Sequence, residues 1–228
     1  NSQGLIETVA SGDSRLEYPM IDGVVNGCPS LLLEPSRTNL VPYSEDFSQW
    51  SAVNTDISIN NIISPDGSLN ASKLTAIFDG DGAFARDTLT TQSISTTYSL
   101  SCFVKKGTTD FVRLANRAIG GATDASAYFD IENGVAGDLG SSLSSSKIEN
   151  FGNGWYRCTI IGATGVSIPN QLIDIAAAEY NGTKAVSASD TIYIYGAQIE
   201  EGSYPTSYIP TNGAAVTRAA ETANGAGD

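Results

Sequence analysis

The stretch TYSLSCFVK, Thr97 to Lys105, alternates bulky apolar with small or polar residues along most of its length. Successive side chains of a β-strand point to opposite faces, so Tyr98, Leu100, Cys102 and Val104 form one apolar face and Ser99, Ser101, Phe103 and Lys105 the other. Phe103 and Lys105 are thereby expected to face outward. Working outward from this strand, DFVRLANR (110–117) repeats the period: Val112 and Leu114 look inward while Phe111, Arg113 and Arg117 share the opposite side. The run from Ala83 to Leu89 offers Phe84 and Arg86 on one face, and SAYFDI (126–131) sets Tyr128 opposite Phe129 and Ile131. Further candidate strands are Leu31 to Leu33, Ile57 to Asn61, Ser72 to Phe78, Ser146 to Asn150, Trp155 to Ile161, Leu172 to Glu179 and Thr191 to Ile199. Helical periodicity is scarce and Gly, Asn, Asp and Ser punctuate the runs, which makes the chain all-β. Short strands at this spacing predict a two-sheet antiparallel β-sandwich of jelly-roll type. Asn133-Gly134 marks a hairpin turn within it.

With 228 residues, 41% of them hydrophobic, the chain can bury a full core as a single domain. Residues 1–30, with Gly4, Gly12, Gly23 and Gly27 among short apolar pieces, read as an arm or hairpin laid against a sandwich spanning 31–211. Residues 212–228 are small and polar and read as a linker. The net charge is −13 and the isoelectric point about 4.2, the reverse of the footprint that binds a phosphate backbone, so nucleic acid is not an expected partner. No stretch approaches the roughly 20 apolar residues of a membrane helix. The first residues, NSQGLIETVASGDSR, have neither a basic start nor an apolar run, so the chain reads as a piece excised from a longer secreted, extracellular protein. Cys28, Cys102 and Cys158 form no Cys-x-x-Cys pair. Cys102 and Cys158 lie in expected strands and are either bridged or buried as small hydrophobes. Histidine is absent, which removes the usual general base and the commonest zinc ligand and argues against an enzyme.

Three motifs carry a family resemblance. LLLEPSRTNLVPYSEDFSQW (Leu31 to Trp50), NGWYRC (Asn153 to Cys158) and YIYGAQIEEGSYPTSYIPT (Tyr193 to Thr211) together resemble a β-sandwich module of phage head-spike, capsid-decorating and tail-fibre proteins. In that module Glu-Pro-x-Arg-Thr-Asn-Leu leads into Tyr-Ser-Glu-x-Phe and a Trp, and the closing strand exits through Pro-Thr-Ser-Tyr-Ile-Pro-Thr. More distantly, the chain is similar to the jelly-roll carbohydrate-binding modules appended to polysaccharide-degrading enzymes, through its Thr-Tyr-Ser-Leu-Ser-x-Phe-Val-Lys strand, its Trp-x-Arg strand and a last strand ending in Gln-Ile-Glu. The resemblance implies the fold more strongly than the ligand. Two functions follow from it as expectations: a monomeric, non-catalytic module tethering a larger secreted enzyme to its polysaccharide, or a virion structural domain of a spike or fibre. Carbohydrate modules of this kind often hold a structural calcium near the first and last strands, which here would draw on Glu45 and the closing strand, although Gln198 stands where many have Asp.

Sugar binding needs flat aromatic surfaces for the C–H faces of pyranose rings and planar polar groups for the hydroxyls. Phe84, Phe111, Tyr128, Tyr180, Arg86, Arg113 and Arg117 meet that need if their strands share a sheet. Arginine's fork matches carboxylate and sulfate oxygens in pairs, which points to an anionic polymer, uronate or sulfated. The competing expectation pairs these arginines with Asp110, Asp124 and Asp130 in surface ion bridges worth about 0–1 kcal/mol each. Arg37, Thr38 and Asn39 are expected to satisfy orphaned backbone groups where the chain enters the sandwich. Trp50, Phe47, Trp155 and Tyr156 read as core anchors, with Trp155 inside the sandwich. Asp79 and Asp81, spaced by glycine in IFDGDGAFARD, are candidate ligands of a structural calcium, without the terminal Glu of an EF-hand loop. Of the carboxylate pairs Glu45-Asp46, Asp79/Asp81 and Glu200-Glu201, none has the context of a glycoside hydrolase, and Glu200 and Glu201, as strand neighbours, point to opposite faces and cannot flank one glycosidic bond.

Overall fold

A computed structural model of the chain describes residues 1–10, 13–89, 91–120 and 125–222. Two six-stranded sheets form the sandwich. Their strands, numbered in chain order, are β1 (Ser51–Val53), β2 (Thr55–Ile63), β3 (Leu69–Ala76), β4 (Phe84–Thr88), β5 (Thr97–Lys106), β6 (Phe111–Asn116), β7 (Ser126–Asp130), β8 (Val135–Leu139), β9 (Ser145–Asn150), β10 (Trp155–Ala163), β11 (Leu172–Ala178) and β12 (Thr191–Glu201). The first sheet has the order β8-β7-β6-β11-β4-β1 and the second β9-β10-β5-β12-β3-β2. All of these pairings are antiparallel. The chain crosses from sheet to sheet between β1 and β2, β3 and β4, β4 and β5, β5 and β6, β8 and β9, β10 and β11, and β11 and β12, the path of a jelly roll. Among the described residues there is no α-helix. One 3-10 turn, Phe47–Gln49, is capped by the Asp46 side chain, which accepts from the Ser48 N–H.

The period-2 reading of β5 holds. Tyr98, Leu100, Cys102 and Val104 are buried against Val112, Leu114, Phe129, Ile173 and Ile175 of the facing sheet. Each large aliphatic side chain so buried contributes about 1.5–3 kcal/mol over leaving it exposed. Cys102 and Cys158 stand opposite each other in register on this inner face, as free thiols. Burial pushes the Cys102 thiol up to about 12 and the Cys158 thiol well above its ordinary value. The turn between β7 and β8 places Gly134 at φ +68°, where an added Cβ would meet the Tyr156 ring at 2.8 Å. The β8 strand VAGDL was not expected, because Gly137 and Asp138 are turn residues. As an edge strand it is held by pairing with β7.

Trp155 departs from expectation. The register sets Trp155 beside Lys105 and Arg157 beside Phe103, so parity sends the indole out of the sandwich on the same side as Phe103. It is nevertheless buried, in a second cluster with Ala71, Phe103 and Tyr195, onto which Ile6, Phe151 and Tyr208 pack. Its Nε1 donates to the Ile63 carbonyl at 3.2 Å. The cause is tertiary: residues of the N-terminal arm and of the segment after β12 roof this outer face. Within the arm, Leu16–Glu17 pairs with Ser30–Leu31 and Met20–Ile21 with Val24–Val25. The tail segment Val216–Arg218 is itself a strand, paired with Arg37–Asn39. Arg15 bridges Glu34 and Glu221, each at 2.9 Å, and Arg218 bridges Glu34 at 3.0 Å, so arm and tail are clasped together. Asn39 does the structural work expected of its motif. Its amide donates to the carbonyls of Ala197 and Ile209, and its oxygen accepts from the N–H groups of Val41 and Ile199.

Candidate functional site

The outer face of the first sheet gathers most of the candidate residues. Phe84 lies opposite Ala176 and Arg86 opposite Asp174 across β4 and β11. Phe111 lies opposite Ala178 and Arg113 opposite Ala176 across β6 and β11, and Arg113 opposite Tyr128 across β6 and β7. Alternation therefore puts Phe84, Arg86, Phe111, Arg113 and Tyr128 on one face, with the small side chains of Ala176 and Ala178 as its floor. Arg117, just beyond the end of β6, reaches the same place.

Asp174 organises this face. It is fully buried. Arg86 grips it with a fork, Nε to Oδ1 at 2.6 Å and Nη2 to Oδ2 at 3.0 Å. Arg117 approaches Oδ2 with Nε at 3.1 Å and Nη2 at 3.0 Å, and Arg113 Nη2 lies 3.9 Å from the same oxygen. Three guanidinium groups thus share one carboxylate, leaving a positive excess in a strongly acidic chain. Burial pulls the Arg113 pKa down, with Asp174 pulling it back, and its Nε has no hydrogen-bond partner. The expected aspartate partners lie elsewhere: Asp110 pairs with Lys106 at 2.6 Å, Asp130 accepts from the N–H groups of Glu132 and Asn133, and Asp124 is outside the described residues. Asp174 was missed, yet its signal was present. It is the one acid in the apolar run LIDIAAA (172–178), where alternation turns it away from Ile173 and Ile175.

The aromatic candidates divide by exposure. Phe84 is buried beneath the Arg86 guanidinium, whose carbon stands 4.4 Å from the ring centroid, and Tyr128 is only 6% exposed. Phe111 is half-buried, whereas Tyr180, in the loop after β11, is 60% exposed. Beside it Asn181 is tied to β8, accepting from the Asp138 N–H at 2.7 Å and donating to Asp138 Oδ1 at 2.8 Å. A recess of about 360 Å³ opens here, lined by Ser126, Tyr128, Asp138, Leu139 and Lys184 among others. Arg117 is 41% and Arg86 22% exposed, so both guanidinium groups reach the surface while their Nε and Nη2 donors are held by Asp174.

Of the candidate metal ligands, Asp79 has another partner. Asp79 Oδ1 accepts from the Ala188 N–H at 2.8 Å, and Asp81 sits in the short ladder Gly80–Asp81 with Ala185–Val186. Among the described residues no group of three or more His, Cys, Asp or Glu side chains is placed to hold a metal ion. Glu45 does meet the closing strand, but at Tyr195 rather than Gln198: the phenol lies 3.1 Å from Glu45 Oε1 and 3.0 Å from Asp66 Oδ2. Burial, followed by the two carboxylates, raises the Tyr195 pKa, so the phenol stays protonated. Gln198 instead donates to Glu200 and accepts from the Ile209 N–H.

No protein-family model matches the chain, and no curated protein does. Among solved structures it is similar to the enzymatically active domain of tailspike protein 4 of bacteriophage CBA120, with TM-score 0.41 and 12% identity over 71% of this chain and 21% of the other. It is similar to the CBM22-1 and GH10 modules of Clostridium thermocellum endo-1,4-beta-D-xylanase 10B, complexed with xylohexaose, with TM-score 0.45 and 12% identity over 76% of this chain and 30% of that one. The CBM22-1 xylan-binding domain of Paenibacillus barcinonensis Xyn10C matches with TM-score 0.41 and 11% identity, over 74% of this chain and 94% of its own. The chain thus spans about a fifth of the tailspike structure and under a third of the xylanase structure.

Proposed function

We propose that the protein is a non-catalytic carbohydrate-binding module that holds a larger secreted polysaccharide-degrading enzyme on an anionic polymer bearing uronate or sulfate groups. The observation that carries this reading is the cluster of Arg86, Arg113 and Arg117 over the single buried carboxylate of Asp174. Asp174 fixes the forks and leaves net positive charge to attract an oxyanion. Arg117 and Arg86 make the contact, Arg113 supports them from below, and the accessible rings of Tyr180 and Phe111 flank the cluster for stacking on sugar C–H faces. Phe84 and Tyr128 act beneath the surface as packing. The role needs no cofactor, because every group belongs to a side chain. Tethering raises the effective concentration of polymer at an attached catalytic domain, so a weak site is enough.

A second reading, a spike or fibre domain of a virion, is favoured by the exposed apolar side chains Leu16, Ile21 and Val24 on the arm and Leu31 and Leu33 just after it, which suit a subunit contact. Affinity electrophoresis through gels loaded with alginate, carrageenan, fucoidan and neutral xylan separates the two. Retardation by an anionic polymer that is lost in Arg117→Ala is the outcome expected of the binding module. Unretarded migration in every gel, together with an oligomer by size-exclusion chromatography, would leave the virion role.

A further inference from the structure

Two of the three cysteines meet on one pair of strands. The β5–β10 ladder runs unbroken from Thr97 opposite Ala163 to Lys105 opposite Trp155, and Cys102 stands directly opposite Cys158 near its middle. Opposed Cα atoms of an antiparallel pair are about 4.5 or 5.5 Å apart, and both values lie inside the ~4.4–6.8 Å span of a disulfide. Their Cβ atoms, about 4.5–5.5 Å apart, need only a small approach to reach the ~3.5–4.5 Å that the bond requires. Both side chains belong to the core between the sheets, so they point the same way.

The other flank of Cys102 is irregular. Against β12 the register shifts between Ser101 and Phe103, so that Gly196, at φ +60°, and Ala197 together oppose Cys102. This is a β-bulge, which bends its strand locally and gives β5 room for the approach. A buried cysteine by itself is a small hydrophobe that asks for no partner. Two of them facing each other in register carry the geometry of a bond.

Forming that bond is a two-electron oxidation by a low-molecular-weight disulfide such as oxidised glutathione. One cysteine thiolate attacks it, giving a mixed disulfide and releasing one glutathione. The other cysteine then attacks the protein sulfur, forming the Sγ–Sγ bond and expelling the second glutathione, so two electrons and two protons leave on two glutathione thiols. The finished fold closes this route. Neither cysteine has exposed surface. Burial pushes the Cys102 thiol up to about 12, and burial followed by the neighbouring Cys102 raises Cys158 well above its ordinary value, so the thiolate that must attack is scarce. In the unfolded chain both thiols are open to the reagent at about 8.5.

We infer that Cys102 and Cys158 are a cross-strand disulfide site that closes while the chain folds in an oxidising medium and is then sealed by the core. The protein therefore has two native forms, dithiol and cross-linked, fixed by the conditions of folding. The cross-link restricts the unfolded chain over a long loop, which makes the cross-linked form the more stable one.

The test uses Cys28→Ser, which removes the exposed thiol. The variant is unfolded and reduced, then refolded either in a glutathione redox buffer or in excess reductant, and each product is alkylated under denaturing conditions and weighed. Refolding in the redox buffer should give a protein that takes up no alkyl group, is lighter by two hydrogens, and yields the Cys102 and Cys158 peptides as one linked fragment. Its thermal midpoint should stand roughly 5–10 °C above that of the dithiol form. The same variant carrying Cys102→Ala and Cys158→Ala should melt alike from both buffers. Redox buffer added to the folded dithiol form should leave both thiols to be alkylated after denaturation. The inference is overturned if oxidative refolding leaves both thiols free, if the folded dithiol form oxidises as fast as the unfolded chain, or if the cross-linked form melts no higher than the dithiol form.

Discussion

Asp174 is where a single atom group decides the most. Replacing it by Asn would leave Arg86, Arg113 and Arg117 facing one another without a counter-charge. Removing one partner of a buried charge cluster costs about 3–5 kcal/mol, so Asp174→Asn is expected to lower the urea midpoint sharply with an unchanged slope. Arg117→Ala should cost under about 1 kcal/mol, since that side chain is partly solvated and the Arg86 fork still holds the carboxylate. The three cysteines separate in the same way: Cys28 is exposed, whereas Cys102 and Cys158 are buried with raised thiol pKa values. A thiol reagent should therefore label one position in the native protein at pH 8 and all three only after denaturation; rapid native labelling of Cys102 would contradict the packing. The arginines of the face were legible in the sequence because alternation is a local property of each strand. Their partner was not, because nothing in residues 84–117 says that β11 inserts between β4 and β6.

At the scale of the strand, parity proved reliable and exposure did not. Ser99, Ser101 and Phe103 point away from the sandwich core, as the period of TYSLSCFVK requires, yet all are buried. Phe103 is covered by Phe151, Tyr195 and Tyr208, all distant along the chain, and no local pattern encodes such a roof. Trp155 was misplaced for the same reason: its size signalled burial correctly, but two buried layers were available and only the register with Lys105 tells them apart. The turn between β7 and β8 was read correctly from Asn133-Gly134, although the strand after it was not, and it offers a direct check. Gly134→Ala would force a side chain into the left-handed region and against the Tyr156 ring, a loss of about 1 kcal/mol or more that thermal unfolding would register.

For the molecule as a whole, acid is the informative perturbation. Burial pushes the Glu34 carboxyl up, but the Ser207 N–H and the Arg218 and Arg15 guanidiniums outweigh it and hold the pKa below the ordinary value. Asp66 behaves likewise, with bonds from Ser64, Ser68, Asn70 and Tyr195 overcoming its desolvation. A carboxylate whose folded pKa is depressed adds stability that is complete above its unfolded pKa, about 4, and is lost as pH falls through the folded value. Unfolding free energy should therefore be flat in these contributions near neutrality and fall steeply below about pH 4. Glu34→Gln should flatten that acid limb, and an unaltered limb in the variant would remove the clasp from the account.

The clasp also has a mechanical meaning. Arg15, Glu34, Arg218 and Glu221 join the two flanks of the sandwich at one point, so tension applied between residues 15 and 221 loads these ion pairs before any core strand. The domain would yield there first, under small forces and reversibly, while both sheets stayed intact.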